Sequence, residues 1–325
     1  VVSTVSAVPL NTLAPGDLDP GRFPVHTYTG RGFRQAYVRE GEGGVPLLLV
    51  HGWPETKRIW WRVIEPLAAA GFEVVAPDLR GFGDSEVGPD GFGDVAAHSR
   101  DLHALLTDGL GHERVVLAGG DLGGPVIQDL ALRWPELADR LVLFNAPVPG
   151  IGRHARRPVG GSAHDYFVRQ GTDADALAAE LATPAQRRRY IATFYTSRFW
   201  AHDGAFGPDA VDFHTEPFAD GSSLRASFRA YESFFDPAAR SEESVLAPNP
   251  DLRALILYGP SDHVIPDGFD LDAAEAFPDH VGPFLLRECG HFVPWEAPHA
   301  FASAVTAFCG DLLAGWPGRS SRSSE

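Results

Sequence analysis

Residues 115–125 carry an aspartate, Asp121, between two glycine pairs, Gly119-Gly120 and Gly123-Gly124. The apolar run at 115–118 reads as a buried strand, and a helical pattern follows over 126–134. Small residues on both sides permit a strained turn and close strand–helix packing. A side chain on such a turn stands clear of the backbone and can act as a nucleophile. A hydroxyl there would suit attack on a carbonyl. A carboxylate suits displacement at a saturated carbon, which leaves an alkyl ester on the protein. Hydrolysing that ester calls for a base. His291, in Cys289-Gly290-His291-Phe292, lies on an expected loop, and an imidazole titrates near neutrality. Asp262, on a turn after an expected strand, would hold the imidazole tautomer and stabilise its charged form. Asp267 competes for that role but looks like a helix cap. His51-Gly52-Trp53-Pro54 ends a short apolar run, and the N–H groups of Trp53 and Leu122 would form an oxyanion hole at Asp121. Each residue also has an ordinary reading: Asp121 as a helix N-cap, Asp262 as a turn former, His291 as a plain loop residue. Their joint presence favours chemistry.

These side chains need a scaffold that brings distant turns to one edge. Expected strands at 46–50, 73–76, 114–118, 140–144, 254–258 and 282–287 alternate with helical patterns at 58–70, 95–106, 126–134 and 297–313. Residues 25–29 and 33–39 read as a hairpin around Gly30-Arg31-Gly32. The pattern predicts an α/β fold with a doubly wound, mostly parallel sheet. From about 147 to 248 it changes, with helical stretches at 173–181, 184–198 and 222–235 and many aromatics. We expect a helical cap at 147–248, set over the strand ends and interrupting a core of residues 1–146 and 249–325. The Ser/Arg-rich tail from 315 onward is expected to be disordered.

Composition narrows the partners. Of the 325 residues, 44% are hydrophobic, enough for a substantial core. A net charge of −16 argues against nucleic acid or an anionic membrane as partner. The basic run Arg187-Arg188-Arg189 is expected on a solvated helix face. Two cysteines, Cys289 and Cys309, make no disulfide framework and are expected to be free. No stretch reaches transmembrane length. The first residues lack an initiator Met and a basic leader region, so we expect a processed end. A cytoplasmic protein is favoured, with secretion the alternative. No metal-ligand spacing is visible, and neither metal nor organic cofactor is expected. Oligomeric state is open between monomer and homodimer.

The motifs His51-Gly52-Trp53-Pro54, Gly81-Phe82-Gly83-Asp84-Ser85 and Gly119-Gly120-Asp121-Leu122-Gly123, with Asp262 and His291, resemble those of α/β-hydrolase epoxide hydrolases over roughly 25–313. The order nucleophile, acid, His matches that family. Some relatives place the acid after the preceding strand, which is Asn145 here and cannot carry charge. The resemblance also implies two cap donors that hold the epoxide oxygen. One falls on Tyr231. The other falls on His164 by spacing to the aromatic pair and Gln170, or on Tyr166 if the register slips. Leu122 stands where haloalkane dehalogenases typically have Trp, and no Arg adjoins Asp121 as in fluoroacetate dehalogenases. The implied reaction converts an epoxide to a vicinal diol through an Asp121 ester. The alternatives are a haloalkane or haloacid dehalogenase, and a non-catalytic binding protein on the same fold. Phe167, Phe194, Tyr195, Phe199, Trp200 and Phe228 suggest an apolar or aryl epoxide.

Overall fold

The computed structural model describes residues 12–148, 165–265 and 268–316. His164 and Asp267 lie outside these residues. The chain enters through a hairpin, β1 (Val25–Gly30) and β2 (Phe33–Glu40), and continues into β3 (Val45–Val50). Helix α1 (Trp61–Ala70), β4 (Phe72–Pro77), α2 (Val95–Ala104), β5 (Val115–Gly120), α3 (Gly123–Arg133) and β6 (Ala138–Phe144) alternate after it. Six helices then follow in the described part of the insertion: α4 (Asp165–Thr172), α5 (Ala174–Glu180), α6 (Pro184–Tyr195), α7 (Pro208–Thr215), α8 (Gly221–Ser227) and α9 (Arg229–Phe235). The core resumes with β7 (Ala254–Tyr258), α10 (Phe269–Ala276) and β8 (His280–Leu285). It closes with α11 (Val293–Glu296), α12 (Pro298–Phe308) and α13 (Gly310–Gly315).

The eight strands form one sheet in the order β1-β2-β4-β3-β5-β6-β7-β8. β1 and β2 are antiparallel to their neighbours, and the rest run parallel. Every residue of β3, β4 and β5 is buried, as continuous apolar runs require of central strands covered on both faces. From β3 the chain turns to β4 on one side and then to β5 on the other. The β3/β5 boundary is therefore the switch point, where ligands bind at the carboxyl ends of the strands. Val50 pairs with Gly119, so the turns after them, carrying Trp53 and Asp121, start side by side.

Several boundaries differ from expectation, each for a local reason. The helix expected at 58–70 opens as a 3-10 turn at Lys57–Trp60, because Lys57 is pulled into Asp78 through both its backbone N–H (2.8 Å) and its Nζ (2.6 Å). The stretch 222–235 breaks at Phe228, whose side chain is fully buried and whose N–H reaches Arg225 O in a tighter turn. β8 begins at His280 rather than 282, and its half-exposed edge position leaves little burial pattern to read. Helices α4 and α7 fall outside the expected helical stretches. No helix among the described residues is long and apolar enough to cross a membrane. Cys289 and Cys309 are both buried and unpaired.

Candidate active site

Asp121 has a φ of +45°, in the left-handed region that residues other than glycine seldom adopt, aspartate among the more tolerant. Its N–H donates to Asn145 O at 3.0 Å and its carbonyl accepts from Gly124 at 3.1 Å, which fixes the turn from both sides. The flanking glycines are sterically required. A Cβ at Gly123 would lie 2.3 Å from Val50 O, and one at Gly52 would lie 2.5 Å from the Asp121 Cβ. The Asp121 carboxylate caps no helix. Its Oδ1 accepts the Trp53 N–H at 2.7 Å, and its Oδ2 faces His291 Nε2 at 3.4 Å. The latter is an ion-pair distance rather than a short hydrogen bond. Leu122 is the first residue of the turn into α3, so its N–H belongs to the free donors at a helix start.

Asp262 is wholly buried and lies behind the imidazole. His291 Nδ1 sits 2.9 Å from Asp262 Oδ2. Oδ1 accepts from Val264 (2.8 Å) and Ile265 (3.2 Å), so the turn itself orients the carboxylate. Burial opposes charge on His291, but Asp262 and Asp121 outweigh it and hold the imidazole well above its ordinary pKa. The site thus contains an imidazolium between two carboxylates.

A wall of aromatic rings covers this group. Tyr166, from α4, stacks on Trp53 at 5.4 Å with planes 7° apart, and Tyr231, from α9, meets Trp53 edge-on at 5.6 Å. The two tyrosines lie 6.0 Å apart, centroid to centroid, with their planes nearly perpendicular. Burial, followed by the Asp121 charge, pushes Tyr166 well above its ordinary pKa. Burial, then Tyr166 and Asp121, does the same to Tyr231, so both keep their protons at neutral pH. Phe194 and Trp200 close the wall against Trp53 and Tyr166. Phe167 backs Tyr231 at 5.0 Å. The other expected lining residues stand elsewhere. Phe199 is 53% exposed, Phe228 is core, and Tyr195 donates to Pro54 O at 2.6 Å while packing on Phe292 and His214.

The insertion is also tied to the core through polar bonds. Trp53 Nε1 donates to Ser227 Oγ at 3.1 Å, and Arg58 Nη1 donates to Phe213 O at 2.7 Å.

The family description "alpha/beta hydrolase fold" matches residues 45–298. The chain belongs to the α/β-hydrolase fold family. It is 31% identical over 291 residues to the soluble epoxide hydrolase of Corynebacterium sp. (strain C12), covering 86% of this chain and 95% of that one. It is 27% identical over 293 residues to the 2-hydroxymuconate semialdehyde hydrolase of Pseudomonas sp. (strain CF600), covering 85% and 89%. A ligand-free epoxide hydrolase structure superposes with a TM-score of 0.75 at 25% identity, over 89% of this chain and 99% of that one. The names of these relatives of the α/β-hydrolase thus differ in the compound acted on, an epoxide in one and a semialdehyde in the other.

Sequence reasoning missed two contributors to the α/β-hydrolase site. The sequence marks Asn145 only as a residue that cannot be the acid, yet its Nδ2 donates to Asp262 Oδ2 at 2.8 Å. Glu296 lies five residues after His291, and its buried carboxylate accepts from Gly290 and Phe292 at 2.8 and 2.9 Å. A buried acid so close to the histidine was the available signal.

Proposed function

We propose that this α/β-hydrolase is an epoxide hydrolase that forms a vicinal diol through an ester on Asp121. The observation that carries the reading is the Asp121 carboxylate itself, held by Trp53 N–H and facing His291 beneath a pair of protonated tyrosines. A carboxylate attacks a strained epoxide carbon in line, and the C–O bond that breaks releases an alkoxide. Tyr166 and Tyr231 are O–H donors suited to that oxygen. Tyr231 and Tyr166 make the donor pair here, with His164 the competing residue for the first position.

Proton bookkeeping closes the cycle. Alkylation consumes the Asp121 charge, and with it one of the two carboxylates that keep His291 protonated. The alkoxide needs one proton, taken through a tyrosine hydroxyl and replaced from the imidazolium. His291 is then neutral and can take a proton from water. The hydroxide attacks the ester carbonyl, and the charge that develops on Asp121 Oδ1 meets the N–H groups of Trp53 and Leu122. Collapse releases the diol and regenerates the carboxylate beside an imidazolium. The insertion between β6 and β7, expected at 147–248, serves as the cap, and the rings of Phe167, Phe194 and Trp200 favour apolar or aryl epoxides.

The test uses His291→Gln with a panel of aryl and alkyl epoxides, haloalkanes and haloacetates. The expected result is diol from the wild type. The variant should accumulate a species one intact epoxide heavier, with the adduct on the Asp121 peptide. In heavy-oxygen water, a single wild-type turnover should label Asp121 rather than the diol. Halide release without diol formation, or first-turnover label in the diol, overturns the reading.

A further inference from the structure

Residues 199–202 of the insertion run along both loops that carry the triad. His263 N–H donates to Phe199 O at 2.8 Å, beside Asp262. His291 N–H donates to Trp200 O at 2.7 Å, and the Trp200 ring packs 4.6 Å from the imidazole. The chains are in direct contact there, since a Cβ at Gly290 would lie 2.4 Å from Trp200 O and 2.8 Å from His202 N. One carboxylate gathers this junction. Glu296, 3% exposed, accepts from Gly290 and His202 on Oε2, both at 2.8 Å, and from Phe292 on Oε1 at 2.9 Å. Two of the three donors flank His291 in sequence, and the third belongs to the insertion.

We propose that Glu296 is a positioning residue that locks the main chain on both sides of His291 to the insertion at His202, and so sets the imidazole for ester hydrolysis. Three peptide N–H groups converging in the protein interior need an acceptor with several lone pairs, and a carboxylate supplies about four. Burial raises the Glu296 pKa to about 7, and above it these bonds are charge-assisted, about twice as strong as neutral ones. An amide cannot replace it. Gln offers one oxygen, and its NH2 would meet a donor at the other site. The constraint acts on the backbone of the base rather than on the nucleophile. Asp121 is held separately, by Trp53 and the turn after β5. Loss of Glu296 therefore slows ester hydrolysis, in which the imidazole must be aimed at water, far more than alkylation, in which it only replaces a tyrosine proton. The proposal rests on the epoxide hydrolase reading.

The experiment follows both half-reactions of Glu296→Gln on an epoxide the wild type turns over. Alkylation should stay within about 3-fold of wild type, and ester hydrolysis should fall by about 30-fold or more, as for loss of an orienting partner. The ester then accumulates, and kcat and KM fall together, because the slow step follows the covalent one. Unchanged hydrolysis overturns the proposal, as does equal slowing of both steps with a matching loss of thermal stability. Should the variant fail to fold, amide hydrogen exchange on the wild type decides. The amides of His202, Gly290 and Phe292 should be protected alike, within about 3-fold, because they share one acceptor group. Exchange of His202 about 10-fold faster than the other two overturns the proposal. A wild type that forms neither diol nor adduct defeats the functional reading instead, and the exchange result still judges Glu296.

Discussion

Asn145 Nδ2 and His291 Nδ1 meet at one atom, Oδ2 of Asp262, at 2.8 and 2.9 Å. Asn145 also accepts the Gly259 N–H on its Oδ1 at 2.8 Å, so its amide is fixed in a single orientation at the carboxyl end of β6. The first position after β6 thus holds an amide bonded to the Asp262 carboxylate. Asn145→Ala should leave Oδ2 with His291 alone and slow ester hydrolysis by about 10- to 100-fold, with about 1–3 kcal/mol lost in denaturant titrations from unpaired buried groups. Asn145→Asp should be worse for catalysis, because two carboxyls this close share a proton. Hydrolysis at wild-type rate in both variants would remove Asn145 from the mechanism.

The oxygen-holding pair is the second test. Tyr166→Phe and Tyr231→Phe should each reduce the single-turnover alkylation rate on the order of 10²-fold by removing a donor to the developing alkoxide. His164→Ala should stay near wild type. A crippled His164→Ala beside an active Tyr166→Phe would return the first donor to His164.

Asp262→Asn separates the half-reactions at the triad itself. The variant should fold and alkylate Asp121, then hydrolyse the ester on the order of 10³- to 10⁴-fold more slowly, because the imidazole loses both its orienting partner and its counter-charge. Quench-flow mass spectrometry should find most of the protein as adduct. An active Asp262→Asn would shift the acid role to Asp267.

Stability should depend on pH through Glu55. Its carboxyl, buried beside the oxyanion loop with Oε2 on the Gly52 N–H at 2.6 Å, is raised from 4.5 to about 7. Burial is the main cause, and Asp121 adds to it, while His291 and the Gly52 N–H pull the other way. The folded chain thus holds this proton more tightly than the unfolded one. Its contribution to stability is full below 4.5, falls as pH rises, and is gone above about 7. Glu55→Gln should flatten the decline in unfolding free energy between those limits, measured by urea titration at several pH values. Slopes identical to wild type would refute it. Glu296, also raised to about 7 by burial, leaves a residual slope in the variant.

Much of this arrangement was legible in the chain because it is local. Glycines around Asp121, apolar runs before Gly52 and Asp121, and a turn at Asp262 are written in adjacent residues. The contacts that complete the site are not. Asn145 and Asp262 stand 117 residues apart, and His202 and Glu296 stand 94 apart. No periodicity encodes such pairings. Tyr166 and Phe167 are neighbouring aromatics of similar size, yet one stacks on Trp53 and the other backs Tyr231. Only the rotation of α4 against the core separates them. Phe228 carries no breaker signal, and the tertiary burial of its ring coincides with the split between α8 and α9.

The bonds from Trp53 to Ser227, Arg58 to Phe213 and Tyr195 to Pro54, with those from the triad loops to residues 199–202, bear on how such enzymes can be recombined. The covering helices look like an interchangeable module, joined to the sheet only at two chain crossings. They are not one, because the loops beneath them take their shape from the helices above. A chimera that imports another homologue's insertion at those crossings alone should fold its sheet and lose its turnover. The segment to transplant is the insertion together with residues 53–58, 259–263 and 289–296. Screening libraries for altered substrate range should exchange these pieces as one block.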